Sequence, residues 1–445
     1  MNERSLAPYV ADASSPFDRR RAAHLLRRAG FGVPAAELAR AVDEGADRTV
    51  ERLVEERDDP AVRELDAVVA TLTSSAEVDG LAAWWVSRML RTSDPLREKT
   101  ALFWHGHFAT SNAKVQNARQ MYGQLRLFLD LGRGAFGPLL TAVAADPAML
   151  TWLDGDRNRK GHPNENFARE LLELFSLGIG HYSETDVQEA ARALTGWRRA
   201  GGNYRFIASR HDEGEKTVLG ERGNLGQSDV LKLCVDHAAT ARRLARHLLR
   251  FFAHPEPPTS VVDEAARALS EDGLHVGRFL GRVFRSRWFF SDAVIESRIL
   301  SPAEFVVGHL RTLGARADAK RAAALIKRLG QALLEPPSVK GWDGERAWIH
   351  SASMIARLDA AGRLANPDGD LIKDLDPETV LAGARGDPPE DAEQLADLAA
   401  SRILHRSIPA EARRAVTQLL SETDSSGRPT RAVAAILALP EASIG

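Results

Sequence analysis

The stretch DGDRNRKGHPNENFARELLELFSLGIGHYSETDVQEAARALTGW, Asp154–Trp197, carries the pattern on which the fold reading rests. A charged, glycine-bearing loop gives way at Pro163 to apolar residues at helical spacing: Phe167, Leu171, Leu174 and Phe175. A second run, Val187, Ala190, Ala191 and Leu194, follows Ser183 and Asp186, which have the spacing of a capping box. Gly196 then stands where a helix commonly takes its left-handed C-terminal glycine. Helix, loop, capped helix and glycine stop is the syntax of an α-helical protein.

The same punctuation recurs outward in both directions. Asp94-Pro95, Asp146-Pro147 and Ser301-Pro302 each set a capping side chain before a proline at the first helical position. Ala and Arg richness favours helix throughout. One β feature interrupts: Tyr204–Ile207, then the turn-rich His211–Gly214, then Thr217–Leu219. Pro255–Pro258 and the Pro336-Pro337 segment through Trp342 read as loops, since adjacent prolines forbid helix. The expectation is a mainly α fold, a large multi-helix domain with a small β-hairpin or loop insertion near 203–220. An N-terminal arm (1–17) precedes a helical core (18–366), and a helical C-terminal extension (367–445) follows the break at Asn366–Asp370.

Composition bounds the function. The 445 residues, 44% hydrophobic and 27% charged, are enough for one large domain or two to three ordinary ones. Fifty-nine basic against 61 acidic residues give a net charge of -2, so no global field draws in nucleic acid. Arg19, Arg20, Arg21, Arg27 and Arg28 cluster, and a solvated helix face is the plainer reading of them than a phosphate site. Cys234 is the sole cysteine, in an apolar run, which excludes an intrachain disulfide and cysteine-based zinc sites. No stretch approaches a membrane span, and Met1–Arg20 lacks an apolar leader core, so a cytoplasmic protein is the default expectation unless a leader has been removed. Phosphate-cradling glycine loops, dinucleotide fingerprints and Gly-x-Ser-x-Gly elbows are all missing.

Four polar segments remain as candidates for chemistry. In Phe103–Phe108, His105 and His107 are two apart, which a regular helix places on different faces. An ending helix, which Gly106 permits, can turn both into one pocket. Imidazoles suit a divalent metal, and His105, His107 and Glu165 form the ligand set to examine. The alternative is one capping and one partly exposed histidine. In the opening segment, Glu165 and Arg169, Arg169 and Glu173, and Asn166 and Glu170 are four apart on one polar helix face. Buried, such a face perturbs acidities and holds a metal, a proton or a polar substrate; the alternative is an ion-pair lattice. Trp197, His211, Asp212 and Lys216 make the third segment, in which the indole is a ring platform or a core anchor. Lys340-Gly341-Trp342 is the fourth, a cation and an indole in a loop.

These residues also carry a resemblance. His24-Leu25-Leu26-Arg27-Arg28-Ala29-Gly30-Phe31-Gly32, Trp104–Phe108, Asp156–Asn158 through Asn164–Leu171, Tyr182–Val187, Ala193–Trp197, His211-Asp212 with Lys216-Thr217, and Pro336–Trp342 follow one another as in the bacterial family catalogued as domain of unknown function 1800. The likeness spans Asp18 to Leu364 and implies a helical fold, with no reaction attached. Its members often look exported, a trait this chain departs from by showing no leader. They often occur beside proteins that resemble alkaline phosphatases or sulfatases, which implies a partner of that kind.

Two functions are therefore in view. One is a hydrolase of a polar polymer or its fragments. His105, His107, Glu165 and Glu170 then serve as acid–base groups or metal ligands, and Arg157, Asn164, Arg169, Trp197, His211, Asp212, Lys216, Lys340 and Trp342 hold substrate. The other is a non-catalytic binding or assembly module for the phosphatase- or sulfatase-like partner.

Overall fold

A computed structural model describes residues 5–74, 78–200, 203–382 and 388–445. Helices follow one another along the whole chain, and the strands form two separate two-stranded antiparallel ribbons. Helices are labelled here where they bear on the site: α1 (Arg19–Ala29), α2 (Pro95–His107), α3 (Asn166–Glu170), α4 (Glu184–Ala193), α5 (Ala238–Phe252), α6 (Thr259–Glu271), α7 (Pro302–Thr312), α8 (Ser351–Ala365) and α9 (Arg428–Ala438).

Caps fix several of these helices. Ser183 and Asp186 make a full reciprocal box before α4, and Ser301 and Glu304 make another before α7. Asp146 accepts from the Met149 amide. Asp94 leaves its own helix uncapped because Arg133 takes both its carboxylate oxygens, at 3.0 and 2.7 Å.

The mainly α fold carries the expected small β insertion, as two short hairpins and not as a pairing of Tyr204–Ile207 with Thr217–Leu219. β1 (Trp197–Ala200) pairs with β2 (Asn203–Phe206), and β3 (Lys216–Val218) pairs with β4 (Glu221–Gly223). Leu219 belongs to the second turn, not to a strand: Leu219 and Gly220 both have positive φ, 51° and 86°. That is the twist a tight two-residue hairpin demands.

One contiguous apolar core runs from Leu6 to Ala442. The N-terminal His-Leu-Leu-Arg-Arg-Ala-Gly-Phe-Gly run enters it as α1, and Gly32 seals the contact. A Cβ at Gly32, where φ is 68°, would stand 2.0 Å from the Gly308 carbonyl oxygen of α7. The chain end returns to the same place: Leu300 N–H donates to Ser443, and His309 Nε2 to the Ala442 carbonyl. Helices α8 and α9 pack on each other beside it.

The arginine cluster does not form a single solvated face. Arg28 is buried, and Arg27 is half-buried and donates to the Leu404 carbonyl, 377 residues away in sequence. Around Arg28 lies an enclosed charge network. Lys99 meets Glu304 at 2.6 Å, and Arg298 meets Glu304 at 3.3 Å and Glu345 at 2.9 Å. Arg28 itself has no hydrogen-bond partner for Nε or Nη2 among the described residues.

Helix α5 is the element that positions the site. Its face Ala241, Leu244, Ala245, Leu248, Leu249 and Phe252 is buried, largely against α6. The opposite face therefore presents Arg242, Arg243, Arg246, His247 and Arg250.

Candidate functional site

Between the end of α2, the face of α5 and the Pro336–Gly344 loop lies a cleft of about 370 Å³. That volume falls within the ~300–1,000 Å³ typical of small-molecule sites. His107, Arg243, His247, Arg250, Lys340 and Trp342 line it. An adjoining recess of about 600 Å³ shares Arg243 and His247 and continues past Arg242 and Arg246.

The Asp154–Trp197 stretch forms one wall through a local irregularity. After α3 the helix widens into a π-helical turn, Leu171–Phe175. Such turns release carbonyls that an α-helix would consume, and they recur at functional sites. Here the freed oxygens anchor the site. The Leu174 carbonyl accepts from Arg243 Nε and Nη2 at 3.3 and 3.2 Å, and the Phe175 carbonyl meets His107 Nε2 at 3.1 Å.

That last contact orders a chain of two imidazoles. A carbonyl only accepts, so His107 carries its proton on Nε2 and leaves Nδ1 as an acceptor. His107 Nδ1 lies 3.4 Å from His247 Nδ1, so the hydrogen-bond pattern makes His247 the donor there. His247 Nε2 is thereby unprotonated, with no partner among the described residues, on a residue shared by the cleft and the recess. Burial pushes the His107 pKa down to about 3; for His247, burial and then the neighbouring His107 push it well below the usual imidazole range. Both rings are neutral at pH 7.

Glu170 stands four residues before Leu174 and is half-buried, without a hydrogen bond or ion pair among the described residues. Burial, then the nearby Glu173, raises its pKa, while Arg169 and Lys340 pull the other way. Lys340 and Trp342 reach the cleft because their loop presses on the end of α2. A Cβ at Gly341, where φ is 76°, would fall 2.4 Å from the Gly106 carbonyl oxygen.

The other candidate residues are engaged elsewhere. His105 is buried behind the cleft, where its Nε2 accepts from the Leu334 amide at 2.9 Å and its ring meets the edges of Trp85 and Trp342. Burial lowers its pKa to about 3. Glu165 pairs with Arg169 at 3.1 Å, and Arg169 also forks onto Glu184 with contacts of 2.8 and 2.7 Å. Among the described residues no group of three His, Cys, Asp or Glu side chains is placed to hold a metal ion, so His105, His107 and Glu165 are not drawn together as ligands.

The third segment is separate from the cleft. Trp197 stacks edge-on with Phe206 and lines, with Asn164, a pocket of about 20 Å³, too small for a substrate. His211 Nδ1 donates to the Thr195 carbonyl at 2.9 Å, and Asp212 takes two nitrogens of Arg192 at 2.9 and 3.3 Å. Buried Lys216 donates to Gly214 and Asn224, and Arg157 is exposed on the preceding loop. The structure thus gathers His107, Lys340 and Trp342 and sets Glu170 close to Lys340.

It adds Arg243, His247 and Arg250, which the sequence reading did not single out. Their signal was present in Ala238–Phe252, where positions 243, 247 and 250 fall on one helical face opposite the apolar stripe.

Fold and site together define a mainly helical protein with a histidine-bearing, cation-rimmed cleft. Among the described residues no helix is long and apolar enough to cross a membrane. The chain belongs to the family described as protein of unknown function DUF1800, whose model matches residues 24–444. No curated protein and no solved structure matches it.

Proposed function

We propose that the protein is a hydrolase acting on a polar polymer or its fragments, with the α2–α5 cleft as its site. The observation that carries this reading is the ordered Phe175–His107–His247 chain, which leaves Nε2 unprotonated on a histidine that lines the cleft. A neutral imidazole whose other nitrogen is held by an acceptor is a general base in waiting. Nε2 takes a proton from water as the water oxygen attacks the electrophilic centre. His107 Nδ1 then accepts a hydrogen bond from the charged imidazolium and steadies it. Glu170, raised toward its protonated form, is the group proposed to give a proton to the departing oxygen. It regains that proton when His247 releases its own to solvent. His105, Glu165 and Arg169 act only from outside, by setting Trp342 and the π-helical wall.

The test is turnover of oligosaccharides and their acetyl, sulfate and phosphate esters by the protein and by His247→Gln. The expected loss in the variant is ~10²–10⁴-fold, with an unchanged circular-dichroism spectrum. No turnover of any of these compounds by the unaltered protein would sink the reading.

A second reading, the assembly module for a phosphatase- or sulfatase-like partner, is favoured by Ile355 and Leu358, which α8 exposes by 69% and 51% three residues apart. Retained partner capture by His247→Gln, lost in Ile355→Ser, would support it.

A further inference from the structure

The cleft has an uneven charge. Four cations line it, Arg243, Arg250, Arg298 and Lys340, against two carboxylates, Asp343 and Glu345. Glu345 is spent on Arg298 at 2.9 Å and on the Ile299 amide at 3.1 Å. Arg243 is held by a carbonyl and not by a carboxylate, and Arg250 and Lys340 have no ion pair among the described residues. Of the carboxylates that line the cleft, Asp343, exposed at the rim, is the one left to face them, with Glu170 near Lys340 beside it.

The floor adds to this. Arg298 and Glu345 are the outward members of the enclosed network behind the cleft, which sets Arg28, Lys99 and Arg298 against Glu304 and Glu345. That leaves one uncompensated positive charge buried beneath the site, where water screens it poorly. An excess of cations at both rim and floor is costly when the cleft is empty, and an anion relieves it.

The remaining lining suits a ring bearing hydroxyls. Trp342 offers an indole beside Lys340. Gln331 gives its carbonyl oxygen to the Ala303 amide at 2.9 Å, so its amide nitrogen is left as a donor to the cleft.

We infer that the cleft recognises a sugar carrying a tetrahedral oxyanion ester, sulfate or phosphate, seated between Arg243, Arg250 and Lys340 with its ring against Trp342. This rests on the reading of the cleft as the substrate site, and it names the substrate class. The recess past Arg242 and Arg246 gives the rest of a longer chain a way out along α5.

Binding tests it without any need for turnover. Titration calorimetry at low salt would compare glucose 6-sulfate, glucose 6-phosphate and unmodified glucose on the full chain. Either ester is expected to bind at least about tenfold more tightly than glucose, and added salt should weaken it. The two ester arms separate the sources. The double variant Arg250→Gln, Lys340→Gln removes exposed side chains, should fold normally, and should lose about tenfold in ester affinity with glucose binding unchanged. Equal affinity for glucose and both esters, or an unaffected double variant, would overturn the inference. Ester binding without hydrolysis would instead defeat the hydrolase reading and leave this one standing; turnover of neutral sugars with no preference for esters would do the reverse.

Discussion

His107 and His247 face each other through their Nδ1 atoms at 3.4 Å, and only one of the two can carry the shared proton. The Phe175 carbonyl decides which, by holding the proton of His107 on the far nitrogen. His107 is therefore a positioning residue for His247. His107→Phe keeps the ring volume but leaves the Phe175 carbonyl and His247 Nδ1 without their partner. A stability loss of about 1–3 kcal/mol is expected. Activity should fall through kcat with KM little changed, because substrate contacts are untouched. A change confined to KM would place His107 at the substrate instead.

Acid should destabilise the protein steeply. Burial lowers the pKa of His105 and His107 to about 3, of His309 to about 4 and of His405 to about 2. In the unfolded chain these groups titrate near 6.5. Between the two values the unfolded state binds more protons, so stability is full above about pH 6.5 and falls as pH drops through the window. Each fully buried imidazole contributes up to about 1.4 kcal/mol per pH unit, and His107, partly open to the cleft, less. Asp146 works in the opposite sense: burial raises its pKa to about 7, so its contribution is present at low pH and fades as pH rises. It offsets roughly one histidine. Melting between pH 7 and pH 5 should show a net uptake of protons on unfolding, seen as a melting temperature that falls with acid. A flat profile would mean that these imidazoles are not buried.

Much of the fold was written in local signals. Ser183 with Asp186 and Ser301 with Glu304 cap helices as their spacing implies, because a cap is a contact over three residues. The candidate site was legible only in part. His107, Lys340 and Trp342 were visible as chemistry-bearing residues, yet nothing in their neighbourhoods tells that Gly341 packs on Gly106 and so brings residues 107 and 340 to one cleft. His247 was hidden among arginines on a helix whose amphipathic pattern already had a sufficient explanation. The burial of Arg28 was invisible for a related reason: its surroundings, Glu304, Glu345 and Arg298, come from residues far along the chain.

The network beneath the cleft makes its own prediction. Lys99 and Glu304 are buried at 1% and 3% exposure and meet at 2.6 Å. Lys99→Met leaves Glu304 with Arg298, at 3.3 Å, as its ion-pair partner and removes the donor to the Gly30 carbonyl. Loss of one member of a buried pair typically costs about 3–5 kcal/mol. Urea denaturation should show that loss. The double change Lys99→Met, Glu304→Gln should cost less than the sum of the two single changes, because the pair they share is lost only once. A double variant as unstable as the sum of its singles would rule out coupling between the two.

Gly341 and Gly344 separate the packing of the loop on α2 from its backbone strain. Both have positive φ, 76° and 75°, and Gly344, with ψ of -177°, lies in a region essentially reserved for glycine. Alanine is strained at either position, by about 1–3 kcal/mol. They differ in what a methyl group would meet. At Gly344 the nearest atom is on Trp348 at 4.0 Å, an ordinary contact; at Gly341 it is the Gly106 carbonyl oxygen at 2.4 Å, and backbone must move. Gly344→Ala should therefore show the strain cost alone, as a drop in melting temperature with ligand affinity preserved. Gly341→Ala should lose stability as well and should bind glucose 6-sulfate more weakly, because the shifted loop takes Lys340 and Trp342 away from His107. Equal ligand affinity in the two variants would show that the close approach at Gly106 packs the loop without setting the cleft.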